Sequence, residues 1–207
     1  MLVLASASQS RKNLLESSGI KFVQIASRFN ESLITEKNVQ ELALKLSISK
    51  AKDVFTKIKE NNVIKIIDNT KIILLACDSV FEFEGKAYGK PSNVKEAYER
   101  WRKMSGSSGY LHTGHCLIIC DVVKNGKLNI HKEIAEVISS KLYFSKLKNK
   151  EILKYVETLE PLKCAGGFAL EGRGGKYIER IEGCFSNVMG LSLPWISKKL
   201  LEYEIYA

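Results

Sequence analysis

The chain has 207 residues, 45% hydrophobic and 27% charged, with a formal net charge of +9. Those proportions describe a globular protein, and no apolar run reaches the ~20 residues of a membrane-spanning helix. The cations are scattered, with no Lys/Arg block of five or more and no RNA-motif aromatic pattern, so nucleic acid is not expected as a partner. What remains is a solvated surface or a small anionic ligand.

The opening MLVLASAS has no basic flank, and its apolar run is too short for a secretory leader, so a cytoplasmic protein is expected. Cys77, Cys116, Cys120, Cys164 and Cys184 make an odd number with no C-x-x-C pair. That pattern argues against a disulfide framework and against a zinc ribbon, and the five are read as small apolar residues. No internal repeat or low-complexity segment stands out, and one domain spanning residues 1–207 is expected.

In chain order, LVLA (2–5) reads as a short buried strand, and SRKNLLESSG as a helix with Ser8 or Ser10 as cap and Gly19 as its stop. KFVQIA (21–26) reads as a second strand. Val39, Leu42, Ala43, Leu46, Ala51, Val54 and Phe55 give residues 38–60 helical spacing. NNVIKIIDNT (61–70) reads as a loop, and KIILLAC (71–77) as a central strand with Asp78 at its carboxyl end. FEFEGKAY alternates around Gly85 like a hairpin. A helix over 93–104, capped by Ser92 or Asn93, precedes a long antiparallel pair, YLHTGHCLIICDVV and IAEVISSKLYF, joined across residues 124–127. A helix at 148–158, a glycine-rich stretch, a strand at 176–182 and a closing helix after Pro194 complete the chain. Strands and helices alternate while hairpins intrude. That predicts an α/β fold with a mixed, partly antiparallel sheet flanked by helices.

Four stretches carry candidate chemistry. In LASASQSRKNLL (4–15), a strand, a serine-rich loop and a helix N-terminus together suit an anion, with Ser6, Ser8 and Ser10 as hydroxyl donors and Arg11 as a fork for phosphate oxygens. A plain serine cap explains the same residues. Asp78, just after a central strand, is placed to hold a metal, act as a general base or cap a turn. Gly89-Lys90-Pro91 fixes a turn that presents a lysine, either to a phosphate or simply to solvent. In KCAGGFALEGRGGKYIERIEG (163–183), glycines surround Glu171 and allow close backbone approach to a ligand, or serve only as turns. His112 and His115 stand three apart on a strand, on opposite faces, so no metal pair is expected there.

Taken together and in order, these pieces resemble the Maf family of nucleoside triphosphate pyrophosphatases. The resemblance is carried by LASASQSRKNLL, Asn30-Glu31, Lys50-Ala51, Cys77-Asp78-Ser79, Gly89-Lys90-Pro91, Ser105 to Thr113, Glu160 to Gly166, and Asn187 to Leu191. It implies two lobes around a central cleft, a homodimer, and hydrolysis of the α–β bond of a nucleoside triphosphate with a divalent metal cation, Mg2+ or Mn2+. Carried over by position, Asp78 is the general base, Ser8, Arg11, Lys50 and Lys90 contact the triphosphate, and Glu31 joins Asp78 as the acidic metal group. The specificity positions are Ser10, Ser79 and Glu171.

This chain departs from the family at Gln9, where proline is usual. The dTTP/UTP branch shows Arg, Thr and Gln at the specificity positions. CAGGFALEG (164–172) instead resembles the 7-methyl-GTP branch, whose methylated guanine has N1 and N2 donors that Glu171 can accept. Ser79 departs from the residue usual in that branch, and Ser10 matches neither. The expectation is a pyrophosphatase acting on 7-methyl-GTP. A non-catalytic nucleotide or nucleic-acid binder and a cell-division regulator are the rival readings.

Overall fold

The computed structural model describes residues 1–61, 70–123 and 127–203. The loop expected at 61–70 and the turn expected at 124–127 therefore lie largely outside the described residues.

β1 (Leu2–Leu4) is apolar throughout and almost fully buried, as a strand flanked on both sides must be. α1 (Gln9–Ser17) follows, capped by Ser8, whose Oγ accepts the Arg11 amide at 3.4 Å. β2 (Phe22–Gln24) returns parallel to β1. α2 (Val39–Asn61) leads to β3 (Lys71–Phe83), which turns tightly into β4 (Lys86–Tyr88). Glu84 and Gly85 both take positive φ in that turn, at 51° and 72°, as a two-residue hairpin of this hand requires. α3 (Val94–Met104) is capped by Asn93, which accepts the Glu96 amide at 2.9 Å. β5 (Ser108–Val122) and β6 (Leu128–Phe144) form the long antiparallel pair, followed by α4 (Asn149–Val156), β7 (Ile178–Glu182), α5 (Phe185–Val188) and α6 (Leu193–Glu202). The strands make one open mixed sheet in the order β2-β1-β3-β5-β6-β7, with β4 on the edge of β3. No helix among the described residues is long and apolar enough to cross a membrane.

β3, β5 and β6 run 13, 15 and 17 residues, far beyond the usual strand of five or six. They have that length because they serve two apolar centres. At one end, α2 lays Ala51, Val54 and Ile58 on Ile72, Leu74 and Cys116, while α1 and α6 cover Ile73, Leu75 and Leu117 on the opposite face. At the other end, Phe81, Trp101, Phe144 and Tyr155 pack among α3, α4 and β7. Each fully buried aliphatic or aromatic side chain contributes roughly 1.5–3 kcal/mol, so both centres are substantial. These are the two expected lobes, joined by continuous strands.

Between them one edge of the sheet is interrupted. β1 pairs with β3 only as far as Leu4↔Leu75, and β4 begins at Phe81↔Tyr88, so Ala76 to Val80 have no strand partner on that side. Asp78 lies inside this gap and not at a strand end, which corrects the expectation. β7 starts at Ile178 instead of 176, because Arg173–Tyr177 form a 3-10 turn. The closing helix begins at Leu193 with Pro194 in its first turn, where a missing N–H is harmless.

Candidate functional site

Successive residues of a strand point to opposite faces, and the gap in β3 uses that alternation. Asp78 faces α2 and Ser79 faces α1. Asp78 is 7% exposed and contacts Lys50 Nζ on α2. The same ammonium lies 2.7 Å from Glu31 Oε1, in the 3-10 turn Glu31–Leu33. Burial pushes the Asp78 carboxyl above its ordinary pKa, and the charges of Lys50 and Arg11 work against that push without cancelling it. Its carboxylate is therefore a stronger base than an exposed aspartate.

On the other face, Arg11 is buried at the start of α1. Its Nε donates to Gly190 O at 2.8 Å, Nη1 to Ser6 Oγ at 3.1 Å and Nη2 to Ser79 Oγ at 3.1 Å. All three partners are neutral oxygens, so the guanidinium is held in place while its charge stays available. The hydroxyls behind it form a chain of fixed direction. Thr113 Oγ1 donates to Asn187 O at 3.2 Å, so at its 2.9 Å contact with Ser79 it accepts, and Ser79 is left accepting from Arg11. Ser8 caps α1 beside this group, and its own amide donates to Ser6 Oγ at 3.2 Å. The opening stretch thus both caps α1 and holds the Arg11 guanidinium.

Ser10 Oγ contacts Glu171 Oε1, bringing together two of the three positions expected to set specificity although 161 residues separate them. The third, Ser79, bonds Arg11 and Thr113 instead. Lys90 is exposed on its turn, near enough to Cys164 to act electrostatically on its thiol. The structure does not bring Lys90 into contact with Asp78. Thr113, Asn187 and Gly190 belong to the Arg11 network without having been assigned a role from sequence, whereas Ser6, expected as a hydroxyl donor, accepts from Arg11. Their spacing within the motifs was visible, but their partners come from distant strands and loops.

His115 is buried and neutral at ordinary pH. Its Nδ1–H donates to Thr113 O and its Nε2 accepts the Ser192 amide, each at 2.9 Å, and burial pushes its pKa down to about 4. His112 sits in a different network, 2.7 Å from Ser139 Oγ and 3.0 Å from Glu82 Oε2.

The fit of a divalent cation can be judged from the oxygens. Asp78 and Glu31 converge on one positive charge, the Lys50 ammonium. Two carboxylates form a hard donor set of the kind that suits Mg2+ or Mn2+, with water and phosphate oxygens as further ligands. Among the described residues no three His, Cys, Asp or Glu side chains gather at one point, so an all-protein cage is not what this site resembles.

A buried, basic carboxylate flanked by an ammonium and a guanidinium is equipped to draw a proton from water beside an anionic substrate. The family model described as Maf-like protein matches residues 1–203. A nucleoside triphosphate pyrophosphatase of Prochlorococcus marinus (strain MIT 9312) is 56% identical over 206 residues, covering 99% of this chain and 100% of that protein. The one from strain MIT 9301 is 57% identical over 201 residues, covering 97% and 99%. The one from Microcystis aeruginosa (strain NIES-843 / IAM M-2473) is 42% identical over 202 residues, covering 98% and 94%.

Proposed function

The chain belongs to the Maf-like protein family, and from that premise we propose that it hydrolyses a nucleoside triphosphate to the monophosphate and pyrophosphate. Asp78 takes a proton from a water molecule, whose oxygen attacks the α-phosphorus. The bond from that phosphorus to the bridging oxygen breaks, and pyrophosphate leaves with the electron pair. Arg11, Lys50 and Lys90 offset the triphosphate charge, and the α1 amides behind Ser8 add donors to its oxygens. Asp78 and Glu31 are the residues that would hold Mg2+ or Mn2+, which supplies Lewis-acid stabilisation of the phosphate oxygens. A homodimer working in the cytoplasm belongs to the same reading.

The observation that carries this reading is the buried Asp78 in the β3 gap, between Lys50 on one face and Arg11 on the other. For the nucleobase we propose 7-methylguanine, selected by Glu171. Its carboxylate accepts the N1 and N2 donors, and Ser10 orients it. The runner-up is dTTP or UTP.

The test is a nucleotide panel with magnesium, reading pyrophosphate release. The expected result is turnover of 7-methyl-GTP above dTTP and UTP, lowered about a hundredfold or more by Asp78→Asn. Near-normal turnover in Asp78→Asn removes the proposed base. A Glu171→Gln variant that keeps the wild-type ratio removes Glu171 as selector.

A further inference from the structure

Glu171 is exposed, and its side chain meets the short Ser10 hydroxyl, so the backbone that carries it must fix its position. That backbone arches from Gly167 to Gly174 and is pinned at both ends. At the first end, Trp101 Nε1 donates to Gly167 O at 2.8 Å from within the aromatic core. At the second, Glu160 takes hold. Its Oε2 accepts the Arg173 amide at 2.9 Å, and its Oε1 accepts the Gly174 amide at 2.9 Å and the Tyr155 hydroxyl at 2.8 Å. Burial favours the neutral carboxyl, but these hydrogen bonds outweigh it and hold Glu160 below the usual range, so it stays ionised and acts only as an acceptor.

The arch is shaped to this carboxylate. A Cβ on Gly172 would lie 2.6 Å from Glu160 Oε2, and one on Gly174 would lie 2.3 Å from the Tyr155 hydroxyl oxygen. Tyr155 is itself fixed by edge-on packing against Trp101 and Tyr177, with ring centroids 5.1 and 5.4 Å away. The clamp is therefore rigid on the core side, and it grips the two amides that begin two residues after Glu171.

We infer that Glu160, supported by Tyr155, positions Glu171 and so sets nucleotide preference without touching the nucleotide. This rests on the reading of Glu171 as selector. It assigns Glu160 a positioning role, separate from the general base and the phosphate contacts.

The test compares Glu160→Gln, Tyr155→Phe and Glu171→Gln with the wild type by kcat/KM for 7-methyl-GTP and dTTP, alongside amide hydrogen exchange at Arg173 and Gly174. Glu160→Gln replaces a double acceptor with a group half of which is a donor. Its expected effect is faster exchange at both amides and a loss of preference of about tenfold, the size of one or two hydrogen bonds. The loss should appear in the KM for 7-methyl-GTP, with kcat for dTTP little changed. Tyr155→Phe removes one bond of three and should shift the ratio in the same direction by less. If Glu160→Gln fails to fold, Tyr155→Phe decides, and an unchanged ratio there overturns the inference. Faster exchange with an unaltered ratio reduces the clamp to a structural staple. If Glu171→Gln itself keeps the wild-type ratio, the selector reading fails and this inference with it. If Glu171→Gln shifts the ratio and the clamp variants do not, the clamp alone is refuted.

Discussion

Asp78 and Ser79 are neighbours in sequence that serve opposite sides of the sheet, one meeting Lys50 and the other Arg11. That division places the buried carboxylate and the held guanidinium on opposite faces within a single peptide unit. It also makes the basicity of Asp78 a balance between burial, which raises its pKa, and the two cations, which lower it. With Asp78 as the proposed base, activity needs its ionised form, so the rate should fall as pH drops through this pKa, and a higher pKa moves the acid limb to higher pH. Lys50→Met removes the larger opposing charge. The expected outcome is an acid limb of kcat/KM displaced to higher pH than in the wild type, with the plateau lowered tenfold or more through the lost phosphate contact. A pH–rate profile checks it, and a limb that stays in place while the plateau falls removes Asp78 as the titrating base. Asp78 and Lys50 were each legible as candidates from their motifs. Their contact across 28 residues was not, because it depends on how α2 crosses β3.

That crossing is set by one residue of a neighbouring strand. A Cβ on Gly114 of β5 would lie 2.1 Å from Ala43 O and 2.8 Å from Leu44 N, so the backbone of α2 rests directly on the sheet there. Lys50 lies seven residues further along α2, two turns on the same face. Gly114→Ala would lift the helix, because the obstructing atoms are backbone and cannot rotate away. A destabilisation of about 3 kcal/mol is expected, with activity falling further than stability as Lys50 leaves Asp78. Denaturant unfolding and turnover of the same preparation check this, and a variant with wild-type kcat refutes the helix-seating account. Much at this scale was readable beforehand. Apolar periodicity gave α2, the tight turn around Gly85 gave the β3–β4 hairpin, and the cap of α1 fell on Ser8. From sequence, β3 is expected to end at Cys77, where the apolar run KIILLAC stops. The strand runs on because its other edge stays paired with β5, Asp78 opposite Gly114, while the end of β1 leaves room for Asp78 and its partners in the gap. The start of β7 was misplaced because Glu160 captures the Arg173 and Gly174 amides into a turn, and sequence periodicity does not register such a long-range bond.

At the scale of the whole molecule, β5 is tied to the start of α6 through His115. Its ring donates to Thr113 O, accepts the Ser192 amide, and packs 4.9 Å from the Trp195 ring. Both bonds require the neutral tautomer protonated at Nδ1, and a proton on Nε2 would set donor against donor. Burial pushes the native pKa down to about 4, whereas the unfolded chain titrates near 6.5. The unfolded state therefore binds the proton first. Stability should be complete above about pH 6.5 and decline as pH falls toward 4, by about 3 kcal/mol in all. The +9 formal charge adds a second acid effect, because protonating carboxylates increases self-repulsion in the compact state. The two separate by salt, since repulsion between surface charges is screened while a buried imidazole is not. Urea unfolding at pH 7.5 and 5.0, each in low and high salt, should show a loss at pH 5.0 that high salt only partly restores. His115→Gln should be less stable at pH 7.5 and lose less between the two conditions. If high salt abolishes the whole acid loss in the wild type, or His115→Gln retains it in full, the imidazole is not its source.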